Sequence, residues 1–230
     1  MDLKKKFNIL STFCNLFIFV SVLWSVLYYF YKDAGAGNMD VVGTACFKYF
    51  TIDSNIFAAI TSVIYLYFNF ARLCGKEVQI PQWLKVIKYV ATNSVAVTFF
   101  VVLLCLVPVG YFMNDISPAY FYEENCIILH LFAPLFAMLT ISVFEKEDRI
   151  NKKYTYFSFL PVLLYGIVYF VCVVIVKCWS DHYGLTFEGN YYLTPIAVIM
   201  IFGICYGSSE LVYYLQDLCN KKLVDKKENI

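Results

Sequence analysis

Two side chains in this sequence carry the chemistry of acyl transfer, a threonine hydroxyl and a histidine imidazole. Thr51 stands in Lys48-Tyr49-Phe50-Thr51-Ile52-Asp53-Ser54-Asn55, the polar opening of a hydrophobic run that continues to Phe70. His130 stands in Leu129-His130-Leu131-Phe132-Ala133-Pro134-Leu135, inside a second run. A hydroxyl attacks an ester carbonyl when an imidazole removes its proton, the pattern of a nucleophile with its base. In that scheme Thr51 is the nucleophile and His130 the base, Asn55 or Ser54 stabilises the oxyanion, and Asp53 orients the imidazole. The same residues also fit a plainer reading, because hydroxyl, amide and imidazole groups join helices inside membranes by hydrogen bonds alone. Polar groups are costly in hydrocarbon unless they pair or line a cavity, so either reading turns them inward.

Other chemistries lack their residues. There is no His-Glu-x-x-His for a zinc protease, and the nine cysteines show neither Cys-x-x-Cys nor a Cys/His spacing for zinc, so no metal and no cofactor is expected. Gly207-Ser208-Ser209-Glu210 is not the Gly-x-Ser-Gly of an intramembrane serine protease, and no arginine follows Glu123-Glu124 as a glutamic protease requires. No glycine-rich phosphate loop is present, and a net charge of +1 argues against nucleic acid as a partner. Cys46, Cys126 and Cys178 fall near one face, where a single disulfide is sterically conceivable but not indicated.

The elements that must position Thr51 and His130 follow from composition. Hydrophobic residues make up 61% of the chain, aromatic residues 20% and charged residues only 15%, where soluble domains carry about 25% charged residues. The mean hydropathy is +0.66. The expected fold is all-α, one polytopic membrane domain over residues 1–230, with six transmembrane helices near 7–31, 50–70, 86–112, 126–144, 154–177 and 193–215. The first run is too long for a signal peptide, although Lys4-Lys5-Lys6 precedes it and Ala34-Gly35-Ala36 follows. Fifteen of the 18 basic residues lie on one side of such a bundle, Lys88, Lys146 and Arg149 among them, which predicts that both termini are cytoplasmic.

Along the chain, helical spacing predicts that Thr51, Asn55, Ala58, Ser62, Tyr65 and Asn69 share one face, with Ser54 and Thr61 beside it. His130 and Asn55 each lie roughly 6 Å inside their helices at ~1.5 Å per residue, Thr51 about one turn shallower, and both helices run inward from the outer face. The first outer connection, with Gly35, Gly37 and Gly43, reads as a loop. Pro108 is a kink point. Asp181 and His182 read as a solvated outer loop, and Glu210 as a glutamate that snorkels or pairs with Ser208 or Ser209. Gly203 and Gly207 form a Gly-x-x-x-Gly face suited to self-association.

Phe50-Thr51-Ile52-Asp53-Ser54-Asn55 and the His-x-x-x-Pro-Leu of His130–Leu135 resemble motifs of the FAR-17a/androgen-induced-gene-like membrane proteins, most closely their bacterial Pr6Pr branch. Pro161-Val162-Leu163-Leu164-Tyr165-Gly166 resembles that family's fifth helix. The resemblance implies six spans and an intramembrane hydrolase of fatty acid esters of hydroxy fatty acids, with Thr51 and His130 as the catalytic pair. It breaks after helix four, where Phe144-Glu145-Lys146-Glu147 replaces the Asp-Trp pair of the bacterial relatives. The expectation is therefore a cell-membrane lipid-ester hydrolase acting on a membrane lipid or fatty acyl ester. The alternative is a non-enzymatic six-helix protein, a small-solute or vitamin transporter component or a structural or signalling protein.

Overall fold

The computed structural model of the protein describes residues 3–32, 43–145 and 150–228. Gly35 and Gly37 of the expected first loop, and Lys146 and Arg149 of the basic tally, lie outside them. The described residues are helical and contain no strand. Five helices are long and apolar enough to cross a membrane: α1 (Leu3–Tyr31), α2 (Phe50–Leu73), α3 (Gln82–Met113), α5 (Lys152–Ile175) and α6, which starts at Thr194. The sixth expected span is the shorter apolar helix α4 (Ile128–Phe144). α6 does not stop near residue 215 but continues as helix to Glu228.

The burial pattern is that of a bundle with its apolar surface outward. On α1, Ser11, Asn15, Ile18, Val22, Ser25 and Tyr29 are buried, spaced alternately four and three residues apart as one helix face. Phe13, Leu16, Val20, Trp24 and Leu27, on the other faces, are exposed. On α2 the expected face, Thr51 through Asn69, is buried, Ser54 and Thr61 included. α3 is buried all round from Lys88 to Thr98, which makes it the central helix. It packs against α2, α4, α5 and α6, while α1 packs on α2 and α4.

The prolines shape two of these helices at the places that matter. A proline has no N–H to donate and its ring crowds the carbonyl four residues earlier. Pro134 therefore cannot accept a regular turn over His130, and the chain widens into a π turn at Ile128–Phe132, closed by Ala133 N–H to the Ile128 carbonyl. Pro108 is preceded in the same way by a π turn at Val102–Leu106. A third widened turn, Thr140–Phe144, ends α4 with the Glu145 N–H on the Thr140 carbonyl at 2.8 Å.

One expectation about charge is corrected, and the serine pairing offered for Glu210 is not formed. α3 begins directly after Pro81 rather than near Val86, so Lys88 sits inside the helix and is 1% exposed instead of belonging to a basic connection. Glu210 pairs with Lys152 at 3.2 Å, while Ser208 bonds Asn93 and Ser209 bonds Tyr89. All nine cysteines are free, and the Cys126 thiol instead meets the Tyr29 hydroxyl at 2.9 Å. Gly203 and Gly207 are exposed, with nothing inside the chain packed where a Cβ would stand.

Candidate functional site at the start of α2

The first turn of a helix leaves backbone N–H groups without partners. Tyr49, at the N-cap of α2, supplies no side-chain capping bond. The Tyr183 hydroxyl, from the connection between α5 and α6, takes that place by accepting the Phe50 N–H at 3.0 Å. The same hydroxyl meets the backbone and side chain of Thr51. Burial pushes the Tyr183 phenol up to about 12, so it is a neutral hydroxyl with a proton of its own to donate. Thr51 itself is buried.

Asp181 and His182 are not a solvated loop. The Asp181 carboxylate accepts the Leu185 N–H at 2.9 Å, the Thr186 N–H at 2.7 Å and the Tyr169 and Thr186 hydroxyls. Partial burial acts upward on its pKa, but these hydrogen bonds outweigh it and hold the carboxyl below the usual range. His182 stacks against Tyr49 and Tyr183, each with ring centroids 4.6 Å away, and its Nε2 lies 3.3 Å from the Tyr165 hydroxyl. Burial lowers its pKa. Tyr165 in turn donates to the Lys48 carbonyl at 2.5 Å. The connection after α5 thus folds down as an aromatic clamp over the start of α2.

His130 is 8% exposed, and its Nδ1 lies 2.7 Å from the Phe121 carbonyl. A carbonyl only accepts, so Nδ1 carries the proton, and the neutral ring presents Nε2 as a base. Asn55 joins this helix to the Thr51 turn. Its Nδ2 donates to the Thr51 carbonyl at 2.7 Å and to the Leu129 carbonyl, next to His130, at 3.1 Å. The equal depth expected for Asn55 and His130 is therefore matched by adjacency of α2 and α4. No hydrogen bond joins Thr51 to His130 among the described residues.

The other predicted members hold different positions. Both Asn55 amide hydrogens are engaged by carbonyls, so the oxyanion role expected for Asn55 has no donor to supply it, whereas its Oδ1 is buried with no partner among the described residues. Ser54 is 3.2 Å from the Thr51 carbonyl and 3.0 Å from the Thr98 hydroxyl. Asp53 points away from this cluster and lines a groove on the far side of α2, so it does not orient His130, whose Nδ1 is held by a backbone carbonyl.

One polar centre was not anticipated. Near the Lys4–Lys6 end of the bundle the Lys88 ammonium bonds Asn15 Oδ1 at 2.5 Å and Ser62 Oγ at 3.1 Å and lies 4.9 Å over the Tyr65 ring. Asn15 Nδ2 and Ser11 Oγ donate to the buried Glu145 carboxylate at 2.7 and 2.8 Å, and Asn69 donates to Ser11 at 2.8 Å. The readable signal was Pro81-Gln82, a helix-start pair that places Lys88 almost two turns inside α3.

These features define an all-helical bundle with membrane-type burial, polar inside and apolar outside, and a tyrosine-clamped helix start as its most elaborate site. No family model, no curated protein and no solved structure matches this chain.

Proposed function

We propose that this chain is a multi-pass cell-membrane protein with both termini cytoplasmic, and that it hydrolyses a lipid ester with Thr51 as nucleophile and His130 as base. The observation that carries the reading is the Asn55 carboxamide, which ties the Thr51 turn to Leu129 beside His130. The Nδ1-protonated ring adds to it, since that tautomer has its basic nitrogen free. The motif resemblance in both helices points the same way, and the lysine-rich ends support the orientation.

In this scheme the Thr51 hydroxyl turns from Tyr183 toward Nε2 of His130. As Oγ1 bonds the ester carbonyl carbon, Nε2 takes the hydroxyl proton. The Tyr183 hydroxyl, its acceptor side occupied by the Phe50 N–H, donates to the developing oxyanion. Collapse breaks the bond to the alkoxide, which leaves as an alcohol with the proton from His130. A water, deprotonated by Nε2, then releases the fatty acid and restores Thr51.

A second reading has its own observation. Thr51 has no hydrogen bond to His130 among the described residues and sits in the turn that Tyr183 caps, as in a non-enzymatic bundle held by its polar contacts. Labelling with a fluorophosphonate probe separates the two. The wild type is expected to label, and Thr51→Ala and His130→Ala to lose the label while keeping the wild-type unfolding midpoint. Absent labelling of the wild type, or equal labelling of the variants, refutes the hydrolase.

A further inference from the structure

A groove of about 420 Å³ runs between the start of α2 and the middle of α5, lined by Phe47, Phe50, Asp53, Ser54, Tyr165 and Trp179 among others. Sites for small ligands fall in the range of about 300–1,000 Å³. Asp53 is the one carboxylate in the lining, and no lysine, arginine or histidine joins it there. Its carboxylate is half-buried, and it has no hydrogen-bond or ion-pair partner among the described residues. A bare carboxylate against an apolar wall is costly, and a bound cation offsets that cost.

The walls specify which kind of cation. Phe47, Phe50, Tyr165 and Trp179 contribute aromatic rings to the lining, and Phe57, Leu164 and Val168 carry it on as apolar surface. Aromatic faces attract quaternary ammonium groups, tryptophan most strongly, and they suit a cation that has no N–H donors to satisfy. A small hydrated metal ion needs several oxygen ligands, and the groove has one carboxylate and the Ser54 and Ser94 hydroxyls. A zwitterionic choline lipid also brings a phosphate, for which the lining has no basic partner. The geometry points to a site for an organic cation that bears an alkylated ammonium head and an apolar tail, the head between Asp53 and Trp179. This site is separate from the Thr51–His130 reading, because neither residue lines the groove.

The test uses the full chain in nanodiscs of neutral lipid. Benzyltrimethylammonium and its uncharged carbon isostere, in which carbon replaces nitrogen, are titrated by calorimetry. Phosphocholine is the zwitterionic arm. The wild type is expected to bind the cation at least tenfold more tightly than the isostere, and more tightly than phosphocholine. Asp53→Asn is expected to erase the preference for charge, and Trp179→Leu to weaken cation binding several-fold while a residual preference for charge remains. Equal binding of cation and isostere by the wild type overturns the proposal, as does phosphocholine binding more tightly than the cation. An Asp53→Asn protein that unfolds like the wild type yet keeps the preference also overturns it. If Asp53→Asn does not fold, Trp179→Leu decides, and unchanged cation affinity in that variant counts against the site.

Discussion

Replacing Lys88 by methionine is the sharpest perturbation of this fold. Methionine has nearly the same length and fills the same volume, so the packing of α3 is conserved and only the ammonium is lost. That ammonium has three N–H groups and three places to put them, Asn15 Oδ1, Ser62 Oγ and the face of Tyr65. It also balances the Glu145 carboxylate, to which Asn15 connects it. Hydrogen bonds to charged groups contribute about 1.5–3 kcal/mol each. Breaking a buried pair by removing one partner costs about 3–5 kcal/mol, because the remaining charge keeps its desolvation penalty. Lys88→Met is therefore expected to lose about 3–5 kcal/mol, read from denaturant titration of the protein in detergent. Glu145→Gln alone is expected to lose a comparable amount, since it leaves the ammonium without its counter-charge. The double substitution removes both charges and is expected to lose clearly less than the two single losses added together. Strict additivity, or a Lys88→Met loss of under about 1 kcal/mol, refutes the coupling argued here, since typical substitutions away from such features fall near that size.

Two further outcomes follow from the loop end of the bundle. A Cβ on Gly110 would stand 2.8 Å from the Phe121 ring, and the Phe121 carbonyl holds His130 Nδ1. Gly110→Ala is therefore expected to cost about 1–3 kcal/mol as overpacking and to shift the His130 tautomer signals in nitrogen NMR; unchanged spectra would sever the link. The aromatic clamp has a definite acid response. His182 has a folded pKa below its ordinary ~6.5, so acidification protonates the unfolded chain first. Stability is then expected to fall as pH drops from about 6.5 toward the folded value, a step that His182→Phe should lack. Asp181 is depressed below its ordinary ~3.9, so its contribution is complete above that value and disappears as pH falls through the folded one. Unfolding midpoints measured across pH 3 to 8, a span set by those ~3.9 and ~6.5 reference values, check both steps.

The parts of the fold that were legible in the sequence rest on periodicity and on prolines. Thr51, Asn55, Ala58, Ser62, Tyr65 and Asn69 of α2 recur at helical spacing, and all six turn inward. Pro108 marks a position where the chain cannot continue a regular helix, and a widened turn at Val102–Leu106 precedes it. What escaped were contacts between segments far apart in the chain. Nothing local to Asp181 or Tyr183 announces that they close over a helix start more than a hundred residues earlier, and charge near an interface ordinarily means solvent. Lys88 was misplaced for a related reason. A tally of positive charges treats every lysine near a span as a loop residue, whereas the partners that admit this one, Asn15, Ser62 and Tyr65, come from two other helices.

The two polar layers of the bundle differ in a way that bears on where function resides. In the Lys88 layer every N–H of the ammonium faces an acceptor or an aromatic ring. Such a layer fixes the register of α1, α2 and α3, because sliding any helix by one turn separates charge from partner. Ile18, Val22, Ala58, Ala59, Ala133 and Ala137 form the apolar core that packs α1, α2 and α4 together. Toward the Thr51 turn, polar groups are again buried, but here capacity is left over. Asn55 Oδ1 has no donor among the described residues, and His130 Nε2 has no described partner. Unfilled acceptors in a buried layer are costly to maintain, and a bound substrate or water removes the cost by supplying donors. The engaged ammonium therefore supplies stability, and the layer clamped by Tyr183 and hinged on Asn55, with His130 Nε2 left as an acceptor, is where a ligand gains by binding.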